Sequence, residues 1–189
     1  PSTPVAVNNT TPVIAITTPA NNSWINIANN STTFAVSGIC TEATQAQVTG
    51  RAVTIKIDGV TSGTTPLCTG GGTFAGTVDT TGLTAGAHTF TATITDLASN
   101  TATSATTNVT KDIIAPTVAF TSGPSVAQIN SAGSTVYTLT FTDVNLGTLS
   151  NATINAGITV NGTNAGCVAA TAGAGATLRT VTITGCTGN

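Results

Sequence analysis

"HTFTATIT", residues 88–95, is the stretch that decides the fold. Phe90, Ala92 and Ile94 alternate with Thr89, Thr91, Thr93 and Thr95. A period of two puts apolar side chains on one face and hydroxyls on the other, which is the pattern of a half-buried antiparallel strand. The pattern recurs along the chain. "VTIKID" (53–58) sets Val53, Ile55 and Ile57 against Thr54, Lys56 and Asp58. "VYTLTF" (136–141) places Tyr137, Leu139 and Phe141 on one face, and "TVTIT" (180–184) does so for Val181 and Ile183. Turn-forming clusters separate these runs: "DGVTSG" (58–63), "TGGG" (69–72), "TTGLTAG" (80–86) and "VNGTNAG" (160–166). No stretch carries a convincing helical stripe. Many short strands punctuated by turns predict an all-β chain of sandwich type.

Composition supports the same reading. Charged residues are 5% of the 189, far below the ~25% of an ordinary globular protein. Threonine supplies the polar surface, and methionine is absent, which favours strands over helices. Disorder is the competing reading of so much Thr, Gly and Asn. A 40% apolar fraction that is periodic argues for a buried core instead. The net charge of −2 gives no electrostatic basis for binding nucleic acid or an anionic membrane. No run of ~18 apolar residues, signal peptide or lipidation signal is visible.

The four cysteines fall two and two, Cys40 and Cys68 in one half, Cys167 and Cys186 in the other. None forms a Cys-x-x-Cys, and the single His88 lies far from them in sequence, so zinc is poorly supported. Two disulfides, Cys40–Cys68 and Cys167–Cys186, are the simple expectation, with an oxidising, extracytoplasmic setting as its corollary. Four buried thiols are the alternative.

An internal repeat sets the expected boundaries. "VAVNNTTPVIAITT" (5–18) lies on "VTKDIIAPTVAFTS" (109–122) without a gap, Val5 on Val109, Asn8 on Asp112, Pro12 on Pro116 and Ala15 on Ala119. The spacing is that of one sandwich domain of ~100 residues. The expected division is 1–9 as the final strand of a preceding domain, or a donor strand, plus linker; 10–112 as one domain; and 113–189 as a second domain lacking its last strands. Strands are expected near 13–17, 32–39, 53–58, 64–68, 73–79, 88–95 and 102–110. In the second domain they are expected near 117–121, 135–142, 157–161, 167–170 and 177–184.

"SGIC" (37–40), "CTGGGTFAGTVDTTGLTAGAHTFTATITDLASNTAT" (68–103) and "VTKDIIAPTV" (109–118) resemble the bacterial immunoglobulin-like (Big-type) tandem repeats of extracellular surface proteins and adhesins. The matching features are a cysteine pair, a Gly-rich approach to a strand, a D-T-T-G-L turn at Asp79–Leu83, a D-L-A-S-N loop at Asp96–Asn100 and an Asp-x-x-Ala-Pro junction. Ser99 stands where the family usually has Gly. The resemblance covers nearly all of 10–120 and is weaker over 121–189. It implies seven-stranded immunoglobulin-like sandwiches in tandem, serving as spacer or adhesive stalk.

The resemblance also implies calcium at domain junctions. In such a sandwich the loops after the second and sixth strands face the incoming linker. They carry Glu42 and Asp96–Asn100 facing Asn8–Asn9, and Asp143 facing Asp112. Asp112 with Asp143, and Asp96 with Asn100, are the expected partial calcium sites, since calcium takes several oxygen ligands. An Asx-type turn at Asp96–Asn100 and a plain pre-proline linker at Asp112 are the alternatives. Asn8 in place of Asp departs from the pattern at the first junction.

No catalytic constellation emerges. His88 lacks a second His or a sequence-near acid and reads as a surface or rim residue. The six acids are too dispersed for a glycosidase pair. Lys56 or Lys111 are candidates for an isopeptide cross-link, though Lys56 alternates onto the polar face. Trp24, the only Trp, reads as cover for one end of the core, with sugar stacking as the alternative. The expected role is therefore a non-enzymatic extracellular structural module, spacer or stalk of a bacterial surface adhesin or fibre, partnered by neighbouring domains. A filament subunit joined head-to-tail by strand complementation with identical subunits is one alternative. A carbohydrate-binding module is the alternative of another class.

Overall fold

The computed structural model describes residues 7–126, 133–146, 150–152, 154, 168–173 and 177–184. The chain divides into two compact units, Pro1–Ile113 and Ile114–Asn189.

In the first unit, β1 (Val13–Thr18), β3 (Phe34–Thr41) and β6 (Thr73–Val78) form a three-stranded antiparallel sheet in the order β1-β3-β6. The second sheet has the order β2-β9-β7-β4-β5. It is built from β2 (Ser23–Ile25), β4 (Val53–Ile57), β5 (Val60–Thr61), β7 (Gly86–Thr95) and β9 (Thr107–Lys111), with β8 (Thr101–Thr103) on β7. The inward residues of both sheets meet in one core: Ile14, Val36, Phe74 and Val78 from the first, and Ile25, Val53, Ile55, Phe90, Ile94 and Val109 from the second. This is an immunoglobulin- or fibronectin-type sandwich. The "HTFTATIT" alternation runs along β7, with His88, Phe90, Ala92 and Ile94 buried.

Three local features depart from the sequence reading. The first strand switches sheets: β1 pairs antiparallel with β3, while β2 pairs parallel with β9. The last strand is interrupted at Ser104, whose Oγ accepts the Ala92 N–H at 3.0 Å where ladder pairing lapses. The strand expected at 64–68 is a single bridge, Ala52 to Leu67, because Pro66 has no N–H to offer a ladder. The two-residue connection Asp58–Gly59, with φ of 51° and 81°, turns β4 into β5. Asp-Gly suits the left-handed φ values of a type I′ hairpin turn.

Cys40 at the end of β3 is bonded to Cys68, 28 residues on. A loop of that size stabilises the fold by about 3 kcal/mol in the chain-entropy account. Cys167 and Cys186 lie outside the described residues, as does the strand expected at 157–161.

In the second unit the described strands form one antiparallel sheet, β10-β11-β13-β12. These are β10 (Thr117–Ser122), β11 (Ser134–Thr142), β12 (Val168–Ala172) and β13 (Leu178–Thr184). Its first hairpin repeats that of unit one. Val13 pairs with Thr41 and Thr117 with Thr142; Ile16 pairs with Gly38 and Phe120 with Leu139. In both, the register then skips one residue, Thr17 or Thr121, before pairing resumes. Each skipped threonine donates its hydroxyl to the facing strand, Thr17 to the Ser37 carbonyl at 3.4 Å and Thr121 to the Thr138 carbonyl at 3.5 Å. The internal repeat read in 5–18 and 109–122 is thus also a repeat of strand register.

Candidate functional site

The polar chemistry of the first unit gathers at its two ends. At the end where β1 begins and β3 and β7 finish, Asn8 sits between two acids. Its Nδ2 donates to Glu42 Oε1 at 2.8 Å and to Asp96 Oδ2 at 3.2 Å. Asn100 completes the cluster. Its N–H donates to Asp96 Oδ1 at 2.8 Å, and its Nδ2 donates to Asp96 Oδ2 at 2.9 Å and to the Asn8 carbonyl at 3.1 Å. Asp96 is 1% exposed. Burial alone pushes its carboxyl pKa up, but the Asn100 side chain and backbone N–H, with the Arg51 charge, bring it below the ordinary value. Arg51 itself donates from Nε to the Thr95 carbonyl at 2.9 Å.

The loop Asp96–Asn100 is therefore a closed Asx-type turn that also grips the incoming chain. Sequence reasoning placed Glu42, Asp96, Asn100 and Asn8 at one end, and the structure brings these four together. One oxygen is left over: Glu42 Oε2 is buried without a hydrogen-bond partner. Two carboxylates, two amides and an orphaned carboxylate oxygen are a partial fit to the oxygen ligands calcium takes. Among the described residues, no three Asp, Glu, His or Cys side chains gather as a metal cluster.

Asp112 follows β9 and donates its N–H to the Ile25 carbonyl at 2.8 Å. Asp143 follows β11, and its Oδ1 accepts the Asn145 N–H at 2.9 Å. They belong to different units.

At the opposite end of unit one, the side chains of Lys111 and His88 hold the turn after β6, and sequence reasoning missed both roles. Lys111 is 2% exposed, and its Nζ donates to the carbonyls of Thr80, Thr81 and Leu83 at 2.7, 3.1 and 3.0 Å. It is a buried turn clamp that holds main-chain oxygens, not the Asn side chain an isopeptide bond needs. Lys56 is half-buried on the alternate face of β4.

His88 is buried, not a surface or rim residue. Its Nδ1 lies 2.7 Å from Asp58 Oδ2, and its Nε2 lies 2.9 Å from the Thr84 carbonyl. Both ring nitrogens face acceptors, so the imidazolium, carrying both protons, satisfies both. Asp58 Oδ1 also accepts the Thr89 N–H at 2.8 Å. The signal for the pair was present in register: Asp58 follows β4, and His88 lies near the start of β7, the strand that pairs with β4. Asp79 Oδ1 accepts the Thr81 N–H at 2.8 Å and its hydroxyl at 2.6 Å, closing the D-T-T-G-L turn. Its pKa is lowered by those bonds.

Trp24 does not cover the core. It is 47% exposed, while its neighbour Ile25 points inward and is fully buried.

No protein-family model matches the chain, and no curated protein does. Among solved structures it is similar to the fibronectin(III)-like modules of CbhA from Clostridium thermocellum, at 18% identity and a TM-score of 0.40, covering 72% of this chain and 65% of that one. It is also similar to a Ca2+-stabilized adhesin that helps an Antarctic bacterium reach out and bind ice, at 29% identity and a TM-score of 0.42, covering 74% of this chain and 34% of that one. The chain spans less than two thirds of the length of either.

Proposed function

We propose that this chain is an extracellular structural segment in which immunoglobulin-like modules act in tandem as a spacer or stalk of a surface adhesin or fibre. The observation that carries the reading is the repeated hairpin: two strand pairs, 104 residues apart at β1 and β10, share register, skipped residue and skipped-threonine bond. A module repeated at this fidelity extends a chain without needing a reaction site. The Cys40–Cys68 bond fits an oxidising compartment. An antibody against unit one should label intact, unpermeabilised producing cells. Labelling only after permeabilisation would overturn the reading.

In this proposal calcium stiffens the junctions, with Asp96 and Asn100 at one and Asp112 and Asp143 at the other. The support is the orphaned Glu42 oxygen beside Asp96 and Asn100, and the register that sets Asp143 where Glu42 stands. The neighbouring adhesin is itself described as Ca2+-stabilized. Calorimetric titration of the chain with calcium should show saturable heat that Asp112→Ala and Asp143→Ala reduce. No heat in the wild type sinks the calcium element and leaves the Asx turn as the role of Asp96.

A second reading is a filament subunit in which a strand from an identical copy complements the second unit. The observation favouring it is Phe120, 70% exposed on β10 with its ring 5.5 Å from that of Tyr137. Strand donation supplies main-chain hydrogen bonds and apolar pocket fillers together. Deleting residues 1–9 should then abolish polymers while unit one stays folded. Polymers that persist would exclude exchange through that segment.

A further inference from the structure

The first unit contains an aromatic-walled cavity that neither the stalk nor the junction chemistry uses. Phe34, Phe74 and Phe90 are all buried in the core. Trp24 alone among that unit's described aromatics faces outward. Its orientation is fixed by the strand: β2 pairs Trp24 with Thr110, and the neighbouring Ile25 is anchored in the core. Asn29 Nδ2 donates to the Trp24 carbonyl at 3.0 Å and holds the following turn against it. The indole is therefore presented from a braced backbone rather than from a free loop.

Beside it lies an open cavity of about 400 Å³, between the end of β1 and the start of β3. Thr18, Ser23, Asn29, Ser31 and Thr33 supply its polar wall, and none of its lining residues is ionisable. One of those groups is unspent: the Ser23 hydroxyl is buried and has no hydrogen-bond partner. A buried hydroxyl without a partner is costly, and a turn of the Ser23 side chain toward the cavity lets a ligand supply the missing bond.

We infer that this cavity is a carbohydrate subsite for a neutral pyranose unit, with Trp24 as its platform. The chemistry selects the class. A charged ligand would find no counter-charge on these walls. A lipid chain would set hydrocarbon against the hydroxyl-bearing Thr18, Ser23, Ser31 and Thr33. A pyranose ring offers a C–H face to the indole and a rim of hydroxyls to Ser23, Asn29 and Ser31, so both halves of the wall are used. The volume lies within the range of small-molecule sites, and the openness of the cavity to solvent lets a longer saccharide continue beyond it. This inference is independent of the stalk reading, and either can fail without the other.

Trp24 is the only tryptophan in the chain, so its fluorescence reports on this cavity without interference. The full chain is titrated with glucose, galactose and N-acetylglucosamine and with their β-linked tetramers. The expected result is a saturable shift or quench with at least one tetramer. Trp24→Ala should remove the heat of binding in calorimetry. Ser23→Ala keeps the fluorophore and should weaken binding by about tenfold, the effect of one lost hydrogen bond. If Trp24→Ala does not fold, judged by circular dichroism, Trp24→Phe replaces it and should retain weakened binding. The inference is overturned if no saccharide in the panel gives a saturable change, if both variants bind as the wild type does, or if a polyproline peptide saturates the signal and the sugars do not.

Discussion

Ser99 shows most directly how a single residue carries the strain of this fold. It sits in the D-L-A-S-N loop at φ +73°, a left-handed conformation that costs a side chain about 1–2 kcal/mol. The loop tolerates it because Asp96 fixes both sides: its N–H donates to the Asn100 carbonyl at 3.0 Å, and its Oδ1 accepts the Asn100 N–H. Ser99→Gly relieves the strain, partly offset by the greater freedom of glycine in the unfolded chain. The expected gain is about 1 kcal/mol, read from urea unfolding; a loss of stability would show that the serine side chain contributes more than its conformation costs. His88 gives a pH-dependent prediction. Burial pushes its pKa down, and Lys111 adds to that. The Asp58 carboxylate and the Thr84 carbonyl outweigh both, so its folded pKa lies above the ordinary 6.5. The clasp is then fully stabilising below pH 6.5 and is lost as pH rises through the raised value. Asp58 has the opposite sign. The bond to His88 lowers its pKa below 3.8, so its share is present above 3.8 and lost as pH falls through the lowered value. Between pH 6 and 8 the melting temperature of unit one should fall. In His88→Gln that slope should flatten, and an unchanged slope would remove His88 as its cause.

At the scale of elements, period-two alternation was enough to locate every long strand of unit one, because one face of each is packed and the other wet. It could not locate β2, which is three residues long, pairs in parallel and puts a tryptophan outward. A strand that short has no period to read. Nor could it show the break at Ser104, where a hydroxyl takes the place of a backbone partner. At the candidate site, loop topology was enough to bring Asn8, Glu42, Asp96 and Asn100 to one end, whereas the Lys111 and His88 roles needed side-chain reach across strands. "SGIC" was legible as a motif, but its reason is visible only in the packing. A Cβ on Gly38 would stand 1.9 Å from the Ala15 carbonyl oxygen and 2.8 Å from a ring carbon of Phe74. The backbones of β1 and β3 and a core ring converge there, and none of them can retreat cheaply. Gly38→Ala should destabilise unit one by about 3 kcal/mol, at the upper end of what overpacking costs. A denaturation midpoint equal to the wild type would mean that β1 can shift, and that the close approach does not constrain the hairpin.

For the whole molecule, the scarcity of charge has a spatial logic. Within unit one, Glu42, Arg51 and Asp96 lie at one end, and Asp58, Asp79, His88, Lys111 and Asp112 at the other, with only Lys56 on a strand face between them. The threonine faces between need no charge to stay wet, so charge is spent at the ends, where turns and incoming chain have to be held. The repeat turns this into a test. In register, Asp112 stands where Asn8 stands, and Asp143 where Glu42 stands. At the first position an amide donates to two carboxylates and reconciles them in part, leaving Glu42 Oε2 unmatched. A carboxylate there would be a third anion facing Glu42 and Asp96, with only acceptors to offer, and like charges at such distances oppose one another. Asn8→Asp makes that change inside unit one alone. In chelator its melting temperature should drop below that of the wild type, because three carboxylates then crowd one end. Millimolar calcium should restore it, because three carboxylates with the Asn100 amide and the residue 8 carbonyl make an oxygen set of the kind calcium binds. The wild-type chain supplies the control, since its amide already bridges the two acids: calcium should move the unit-one melt of Asn8→Asp further than that of the wild type. Equal melting of the variant in chelator and in calcium would mean that this end of the sandwich cannot gather ligands around an ion, and the assignment of calcium to Asp112 and Asp143 by register would fall with it.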